Sequence, residues 1–416
     1  MKPSRAVPRR ASLRRKALES YRPIVGDAAL SEARELAAEL RGLRLLELSA
    51  TATGGGVAEM LASLVPLERD VGIDAEWRIL AGDARFFEVT KKIHNGLQGM
   101  DVELSPAERD EYLRHNLAAA ESLGDGWDVV IIHDPQPAAL RSFASDVGGA
   151  WAWRCHVDSS APHPGTWEFL RPYVQAHDRA VFTLEGFVPP DLTVPTSIIP
   201  PAIDPISSKN RALPAYLARQ TVAELGIDLG APFLLQVSRF DPWKDPLGVV
   251  EIWRNVRETF AELQLALVGS MATDDPEGWR VYEQIEREVA GEASCFLFTD
   301  QMGVAAHEVN AFQRVADVAI QKSIREGFGL VVSETLWKGT AMVAGVAGGI
   351  PLQLEDGRGG YLASTVEEFT ARVVELLEDP ARARELGAAG ARRVKERFLL
   401  PRLLCDQLRL LRELTG

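Results

Sequence analysis

The sequence predicts an α/β fold of two Rossmann-like domains in tandem, and two observations carry this prediction. Short, continuously apolar runs alternate with helical patterns along the chain, which is typical of parallel sheets covered by helices on both faces. The alternation occurs once before and once after residues 200–205, which contain three prolines. Because prolines at this density continue neither a helix nor a central strand, we expect the domain boundary there.

The predicted elements follow this alternation in order. In the first half we predict strands at 43–49, 75–80, 129–133, 151–157, 180–184 and 196–199, with helices such as 57–64 and 106–122. In the second half we predict strands at 233–239, 264–268, 295–299, 318–321 and 341–344, with helices such as 246–260, 278–289 and 331–337. Further helices are expected at 365–377, 380–386 and 388–398, and Pro401 separates them from a last helix at 403–411.

Composition limits the class of protein. A chain of 416 residues exceeds one typical domain of about 100–200 residues. Its 46% hydrophobic and 25% charged residues are ordinary for a soluble globular protein. The net charge of −13 argues against nucleic acid as a partner. No apolar run approaches the roughly 20 residues that span a bilayer, so we expect no membrane partner.

Cysteine use and the N-terminus bear on the compartment. Cys155, Cys295 and Cys405 are far apart and odd in number, which favours a reducing cytoplasm over a disulfide-stabilised fold. The first twenty residues contain seven lysines or arginines and form either a solvated basic arm or a basic targeting peptide. No apolar stretch follows them, so a secretory signal is not expected. We therefore expect a cytoplasmic protein.

A glycine run follows the first predicted strand. Thr53-Gly54-Gly55-Gly56 stands directly before a predicted helix, where backbone N–H groups and the helix N-terminus favour an anion. The run is neither the spaced dinucleotide fingerprint nor a Walker loop. It is explained equally well as a tight turn, and on the functional interpretation Gly55 and Gly56 contact the ligand.

Two cations follow the strand predicted at 233–239. Arg239 at the strand end and Lys244 in the next loop together suit a diphosphate, because arginine supplies a fork and lysine a point charge. The alternative is a solvated surface pair, or an ion pair of Lys244 with Asp241 or Asp245.

Two carboxylates flank a glycine-rich segment at 326–334. Glu326 precedes a helix predicted to begin near residue 329, and Glu334 lies about one and a half turns inside it. Such a pair can bond two hydroxyl-bearing parts of one ligand, a sugar and a ribose. Stabilisation of a helix N-terminus is the alternative for Glu326, but it explains Glu334 poorly.

This Glu-x7-Glu segment with its Gly-Phe-Gly, together with Arg239 and Lys244, resembles the family 4 retaining glycosyltransferases. The resemblance implies the GT-B fold, in which two facing Rossmann-like domains have the active site in the cleft between them. It implies an N-terminal acceptor domain at 1–204, to which a C-terminal helix at 400–416 crosses back. A nucleotide-sugar-binding domain would occupy 205–399.

The same resemblance implies the roles of the donor residues. Arg239 and Lys244 would bind the donor diphosphate, Glu334 the ribose hydroxyls and Glu326 the donor sugar. The base would meet backbone around 299–304, which leaves UDP, ADP and GDP undecided. Backbone contacts to phosphate and sugar would come from four consecutive residues, Gly327, Phe328, Gly329 and Leu330.

Segments at 54–60, 91–99, 133–137 and 153–158 are similar to the trehalose glycosyltransferring synthases. Such enzymes join glucose from a nucleoside diphosphate glucose to free glucose, giving α,α-trehalose. Because free glucose presents only hydroxyls, its pocket needs amides and carboxylates. The candidate acceptor residues are Asn95, Gln98, Asp134 and Gln136. Asn95 and Gln98 are also explained as helix caps, and Asp134 as an N-cap.

His156 is expected at the end of a strand. In the family a histidine here contacts the 6-hydroxyl of the donor sugar, so His156 joins Arg239, Lys244 and Glu326 as a predicted catalytic residue. His94 and His133 are less specific, since each is explained by a ring hydrogen bond to backbone at the end of an element.

The resemblance favours a front-face substitution, in which the departing phosphate oxygen takes the acceptor's proton. We expect no metal site and no tightly bound cofactor, with Mg²⁺ on the donor diphosphate left open. UDP-glucose or ADP-glucose, glucose and trehalose are the expected partners, and a homodimer is left open. The alternatives are a retaining trehalose phosphorylase of similar fold and a non-catalytic sugar-nucleotide-binding protein.

Overall fold

The computed structural model describes residues 8–53, 55–270 and 276–416, with the side chains of 276 and 277 outside the description. The chain divides into an N-terminal unit, Met1–Pro201 with Leu400–Gly416, and a C-terminal unit, Ala202–Leu399. The boundary predicted after residue 204 lies three residues beyond the observed one, which follows Pro201. Residues 1–7 of the predicted basic arm lie outside the described residues.

The strands form two sheets, one in each unit. In chain order they are β1 (Arg9–Arg10), β2 (Arg44–Ser49), β3 (Asp74–Ile79), β4 (Val129–His133), β5 (Ala150–Arg154), β6 (Arg179–Phe182), β7 (Thr196–Ile198), β8 (Phe233–Val237), β9 (Gln264–Gly269), β10 (Cys295–Thr299), β11 (Val318–Gln321), β12 (Met342–Gly345) and β13 (Gly360–Ala363).

The helices alternate with these strands. They are α1 (Arg22–Ala38), α2 (Gly56–Asp70), α3 (Ala84–Leu97), α4 (Pro106–Ala120), α5 (Leu140–Phe143), α6 (Pro164–Val174), α7 (Ala215–Glu224), α8 (Pro246–Arg257), α9 (Pro276–Glu288), α10 (Ala306–Val315), α11 (Leu330–Trp337), α12 (Ile350–Gln353), α13 (Val366–Glu378), α14 (Pro380–Arg397) and α15 (Leu400–Thr415). No helix among the described residues is long and apolar enough to cross a membrane.

The N-terminal unit is built on a seven-stranded sheet of order β1-β3-β2-β4-β5-β6-β7. Only the short β1 pairs antiparallel, with β3, and the remaining pairings are parallel. The central strands β2, β4 and β5 are therefore neighbours whose carboxyl ends share one edge of the sheet. This edge is where ligands bind in open parallel sheets.

The C-terminal unit is built on a six-stranded, wholly parallel sheet of order β10-β9-β8-β11-β12-β13. Leu234 belongs to one hydrophobic cluster, whereas its neighbours Phe233 and Leu235 belong to another. Because successive side chains of a strand point to opposite faces, both faces of the sheet are covered. This explains why the strands appear in the sequence as continuous apolar runs.

Two predictions near the C-terminus were wrong in detail. The helices expected at 380–386 and 388–398 are one helix, α14, which continues through Gly387. A Cβ at Gly387 would lie 1.9 Å from the carbonyl oxygen of Gly339, so this glycine allows close packing and does not end the helix. Pro401 likewise lies inside the first turn of α15, where no N–H is needed.

Candidate active site

The predicted donor residues gather at the carboxyl ends of β8 and β11 in the C-terminal unit. Arg239 follows β8, and its guanidinium donates to the Asp241 carboxylate at 3.0 Å. Asp241 also accepts from the backbone N–H of Trp243 at 2.9 Å and caps the short turn of 3₁₀ helix at Pro242–Lys244. The arginine, 43% exposed, is thus held at the sheet edge with part of its side chain open to solvent.

Lys244 and Glu326 form an ion pair. The Lys244 Nζ lies 2.6 Å from the Glu326 Oε2, and the Ser323 hydroxyl donates to the same oxygen at 3.2 Å. Both charged side chains are largely buried, at 15% and 12% exposure. Neither alternative partner of Lys244 is used, because Asp241 bonds Arg239 and Asp245 bonds Lys322. The structure therefore brings together two motifs that the sequence presents separately.

The loop between Glu326 and α11 is held by its backbone. Gly329 has φ 79° and stands at the N-cap of α11, a conformation that favours glycine. The N–H of Gly349 donates to the carbonyl of Gly327 at 3.1 Å, and the Phe328 ring packs against Phe398 with centroids 5.5 Å apart. The N–H groups of Val332 and Ser333 already donate to Gly329 and Gln353. Since the first N–H groups of a helix lack partners within it, the N–H groups of Leu330 and Val331 are the donors that α11 offers to an anion.

Gly348 makes the closest approach to this loop. Its φ is 49°, and a Cβ there would lie 1.5 Å from the carbonyl oxygen of Glu326. Only a residue without a side chain fits in this position. The backbone of Glu326 is therefore held by close steric contact with Gly348.

Glu334 is buried inside α11, at 2% exposure. Its Oε1 lies 3.4 Å from the Nζ of Lys209, and its Oε2 is buried with no hydrogen-bond partner among the described residues. A buried carboxylate oxygen without a partner costs free energy. Hydroxyl donors of a ligand would satisfy it, and helix capping does not account for it.

Lys338 anchors the turn that carries Glu334. Its ammonium donates to the Glu334 carbonyl at 3.0 Å, to Asn210 Oδ1 at 2.8 Å and to Gln313 Oε1 at 2.7 Å. Burial lowers the pKa of Lys338 to about 7. No local pattern predicts this arrangement, since Asn210 and Gln313 lie far from Lys338 along the chain.

The glycine run of the N-terminal unit stands at the start of α2. The helix begins at Gly56, and Gly55 is its N-cap in an extended conformation, with φ −164°. Both glycines are exposed, which leaves their backbone open to a ligand. Gly54 lies outside the described residues.

Asp134 and His156 lie at the carboxyl ends of the neighbouring strands β4 and β5. The Asp134 carboxylate accepts the backbone N–H of His156 at 2.9 Å, and Asp134 itself has φ 65°. No helix begins at Asp134, so the N-cap interpretation was wrong. Burial raises the pKa of Asp134 to about 6.

The His156 ring is hydrogen-bonded to a second histidine. His156 Nε2 lies 2.9 Å from His133 Nδ1, and His133 Nε2 lies 2.6 Å from Glu47 Oε2. The two rings stack with centroids 5.2 Å apart. The prediction that the His133 ring bonds backbone was therefore wrong, because both of its nitrogens bond side chains, of Glu47 and His156.

The three candidate amides differ in their surroundings. The Asn95 Oδ1 and the Gln136 Oε1 are buried without hydrogen-bond partners among the described residues, whereas Gln98 is the C-cap residue of α3. The backbone near Gln136 is fixed, since Asn116 donates to its carbonyl at 3.1 Å. Two amide oxygens thus lack donors, which ligand hydroxyls can supply.

One group of metal-ligand type occurs among the described residues. Asp83, Glu111 and His115 offer ligand atoms that all lie within 4.8 Å of one another. Glu111 already pairs with Arg114 and with His115, and none of the three is a predicted site residue. The absence of a metal ligand set at the active site stays a prediction.

Two family models match the chain. A model described as trehalose synthase, N-terminal domain, matches residues 47–189. A model described as glycosyl transferases group 1 matches residues 219–393. The first covers the predicted acceptor residues and the second covers Arg239, Lys244, Glu326 and Glu334. The site and fold therefore define a glycosyltransferase.

Individual relatives narrow this class. A trehalose synthase of Rubrobacter xylanophilus is 50% identical over 407 residues, which is 96% of this chain and 98% of the relative. The chain belongs to the trehalose synthase family of glycosyltransferases. A trehalose phosphorylase of Pleurotus pulmonarius is 28% identical, covering 89% of this chain but only 57% of that protein.

Solved structures show the same fold. A UDP-forming α,α-trehalose-phosphate synthase from Burkholderia xenovorans, in complex with glucose-6-phosphate, matches with a TM-score of 0.70. The match covers 90% of this chain and 100% of that chain at 15% identity. The fold is thus GT-B, as the resemblance implied.

Sequence reasoning missed Glu47, Lys209 and Lys338. Glu47 is the only one with a local signal, since it interrupts an apolar run between Leu46 and Leu48 in a strand. A lone acid inside a buried strand is uncommon unless it is paired. For the two lysines the signal lies in contacts between distant parts of the chain.

Proposed function

We propose that this protein transfers glucose from UDP-glucose or ADP-glucose to free glucose, with retention of configuration, to give α,α-trehalose in a reversible reaction. The observation that carries the proposal is the donor constellation of the C-terminal unit. An ion pair of Lys244 and Glu326 stands at the sheet edge, and Glu334 keeps one buried oxygen without a partner. This combination suits a ligand with both phosphate charge and vicinal hydroxyls.

On the donor side, Arg239 and Lys244 bind the diphosphate. A lysine ammonium has three N–H donors, so Lys244 keeps its bond to Glu326 while it reaches a phosphate oxygen. Glu326 then accepts hydroxyls of the donor sugar, and Glu334 accepts those of the ribose. The backbone of Gly327–Leu330 donates to phosphate at the start of α11.

Catalysis on this proposal is electrostatic. As the bond from the anomeric carbon to the phosphate oxygen breaks, negative charge grows on the leaving diphosphate, and Arg239 and Lys244 stabilise it. That phosphate oxygen takes the proton of the attacking glucose hydroxyl on the same face of the sugar. No protein base is needed, and Mg²⁺ is bound at most with the diphosphate.

On the acceptor side, the ligand is an uncharged sugar. The unpaired oxygens of Asn95 and Gln136 accept its hydroxyls, and Gln98 and Asp134 complete the set. His156 contacts the donor sugar. Free glucose, without a phosphate, is consistent with acceptor candidates that include no lysine or arginine.

A donor panel tests the proposal. UDP-, ADP- and GDP-glucose are each incubated with glucose. NMR then shows whether the product is trehalose and which anomeric configuration it has. Trehalose formed from UDP- or ADP-glucose supports the proposal. Robust activity of the double variant Arg239→Ala, Glu326→Ala would overturn the assignment of the donor residues.

A second candidate function is that of a trehalose phosphorylase, because the chain is 28% identical to one. A related assay distinguishes it from the transferase. Trehalose is supplied with inorganic phosphate, and separately with UDP or ADP. Cleavage that requires phosphate and ignores nucleotide would favour a phosphorylase. Cleavage that requires nucleotide supports the transferase and its reverse reaction.

A further inference from the structure

A continuous row of hydrogen-bonded side chains crosses the sheet of the N-terminal unit. It starts at Glu47 in the middle of β2, passes His133 at the end of β4 and ends at His156 beyond β5, with contacts of 2.6 and 2.9 Å. Because these strands are neighbours, the three side chains lie side by side. We call Glu47, His133 and His156 the histidine row.

Burial gives the row an inner and an outer end. Glu47 and His133 are 0% and 1% exposed, whereas His156 is partly exposed. The Nε2 of His156 bonds His133, and its Nδ1 has no hydrogen-bond partner among the described residues. A ligand therefore meets the row only at the Nδ1 of His156.

The inner end determines where the protons lie. Gln407 of α15 donates to Glu47 Oε1 at 2.7 Å, which leaves Oε2 to face His133. Burial raises the pKa of Glu47 to about 8, against the opposing effect of Arg154, and lowers that of His133 to about 3. Near neutral pH, Glu47 thus holds a proton and both rings are uncharged.

This arrangement fixes both tautomers. A protonated Glu47 donates from Oε2 to His133 Nε2, so His133 must carry its proton on Nδ1. His133 then donates to His156 Nε2, and His156 must carry its proton on Nδ1. The two ring nitrogens of His133 and the Nε2 of His156 are then each satisfied once as donor or acceptor, and the Nδ1–H of His156 is left for a ligand.

We propose that Glu47 and His133 are positioning residues that hold His156 as the Nδ1–H tautomer, so that His156 donates a hydrogen bond to a hydroxyl oxygen of the bound sugar. The tautomer itself is independent of the reaction proposed above, whereas its effect on turnover rests on that proposed function. A neutral donor suits an uncharged ligand, because it fixes one orientation of the hydroxyl without bringing a charge.

The row also defines what happens when one proton is lost. The His156 Nδ1 proton leaves to solvent, the His133 Nδ1 proton moves to His156 Nε2, and the Glu47 proton moves to His133 Nε2. His156 then carries its proton on Nε2, and the negative charge resides on Glu47. The outer nitrogen thereby changes from donor to acceptor, and the contact with the sugar is lost.

Other titratable or charged groups face the row. Arg154 of β5 acts on Glu47, His133 and His156, and Asp134 acts on His133. Glu68 of α2 is as deeply buried as Glu47, and burial and the Glu47 carboxylate both raise its pKa, so Glu68 keeps its proton when Glu47 ionises. Glu68 therefore serves as the control for a buried acid that lies beside the row without bonding either histidine.

The first test reads the tautomer directly in the protein without substrates. Ring ¹⁵N shifts are measured near neutral pH, with His156 assigned by the variant His156→Gln. We expect the Nδ1–H form in the wild type and in Glu47→Gln, whose amide donates to His133 as the protonated acid does. We expect a mixture of tautomers in Glu47→Leu. A His156 proton on Nε2 in the wild type overturns the proposal.

The second test measures kcat/KM against pH for trehalose formation. The wild type should lose activity as pH rises through about 8, where Glu47 releases its proton. Glu47→Gln should keep activity within about threefold near neutral pH and lack this alkaline loss, whereas Glu47→Leu should lose about tenfold, the value of one hydrogen bond. Glu68→Gln should keep the alkaline loss.

Two outcomes of the second test overturn the proposal: an alkaline loss that persists in Glu47→Gln, or equal activity of the Gln and Leu variants. Circular dichroism and thermal melting confirm that each variant is folded. If no variant or wild type turns over any sugar nucleotide, the proposed function fails, and the ¹⁵N shifts still decide the tautomer.

Discussion

The two units treat charge in opposite ways. In the C-terminal unit Lys244 and Glu326 keep their charges and pair with each other at the sheet edge. In the N-terminal unit the carboxyls of Glu47 and Asp134 are buried, and their pKa values rise to about 8 and about 6. The difference teaches that one unit is prepared for a charged ligand and the other for a ligand made of hydroxyls.

Removal of Lys244 is the strongest way to break this comparison. If the C-terminal unit works through charge, Lys244→Ala should lower kcat/KM by about 10³, the usual loss for one electrostatic donor to a growing negative charge. Steady-state kinetics with saturating glucose measure it. The control is Lys395→Ala, an exposed lysine on α14 of the same unit, and a loss below about threefold in Lys244→Ala would contradict the assignment.

A second change tests whether the C-terminal unit holds Glu326 by its backbone. Gly348→Ala places a Cβ 1.5 Å from the Glu326 carbonyl oxygen, and we expect a loss of about 3 kcal/mol in the free energy of unfolding. Gly357→Ala is the matched control, because Gly357 also has positive φ, at 75°, but open space around it. It should cost about 1 kcal/mol, and equal losses by urea unfolding would exclude the steric contact.

The buried acids of the N-terminal unit predict a stability difference that depends on pH. Burial raises the pKa of Glu68 well above its usual 4.5, so the folded state keeps its proton at pH values where the unfolded state releases it. The contribution of Glu68 to stability is therefore present at low pH and falls as pH rises above about 4.5.

Glu68→Gln removes this dependence, because an amide does not ionise. Relative to the wild type, the variant should gain about 1–3 kcal/mol of stability as pH rises from about 4.5 towards neutral. Thermal melting across this range measures the gain. The exposed Glu378→Gln should stay within about 0.5 kcal/mol of the wild type, and a flat difference for Glu68→Gln would mean that Glu68 is not neutral in the fold.

The smallest expected effect sharpens the acceptor side. Asn95→Ala should raise KM for glucose about tenfold, equal to about 1.4 kcal/mol, and leave KM for the donor unchanged. The exposed Gln220→Ala on α7 is the control. If Asn95→Ala changed only the KM for the donor, Asn95 would not be an acceptor residue.

The fold was predictable because buried parallel strands are apolar throughout their length. The strands predicted at 129–133, 295–299 and 318–321 coincide with β4, β10 and β11. The helix break predicted at Gly387 was wrong, because a glycine in a helical pattern can either end the helix or allow close packing inside it. Which of the two applies depends on the contact with Gly339, and the sequence around Gly387 contains no sign of that contact.

The site was predictable only in pieces. Arg239, Lys244, Glu326 and Glu334 follow strands or begin helices, so their positions at the sheet edge follow from the topology. That Lys244 pairs with Glu326 and neglects its neighbours Asp241 and Asp245 does not follow, because 82 residues separate the partners. Ion pairing is decided by which loops meet in space.

The C-terminal helix α15 has a consequence for how the protein is made. Gln407 reaches Glu47 across 360 positions of the chain, and Leu403, Leu404 and Leu408 are buried in the N-terminal unit. During translation that unit emerges first, yet its apolar surface stays open until residues 400–416 have left the ribosome. Since domains fold as units during synthesis, the unit translated first is the last to be completed.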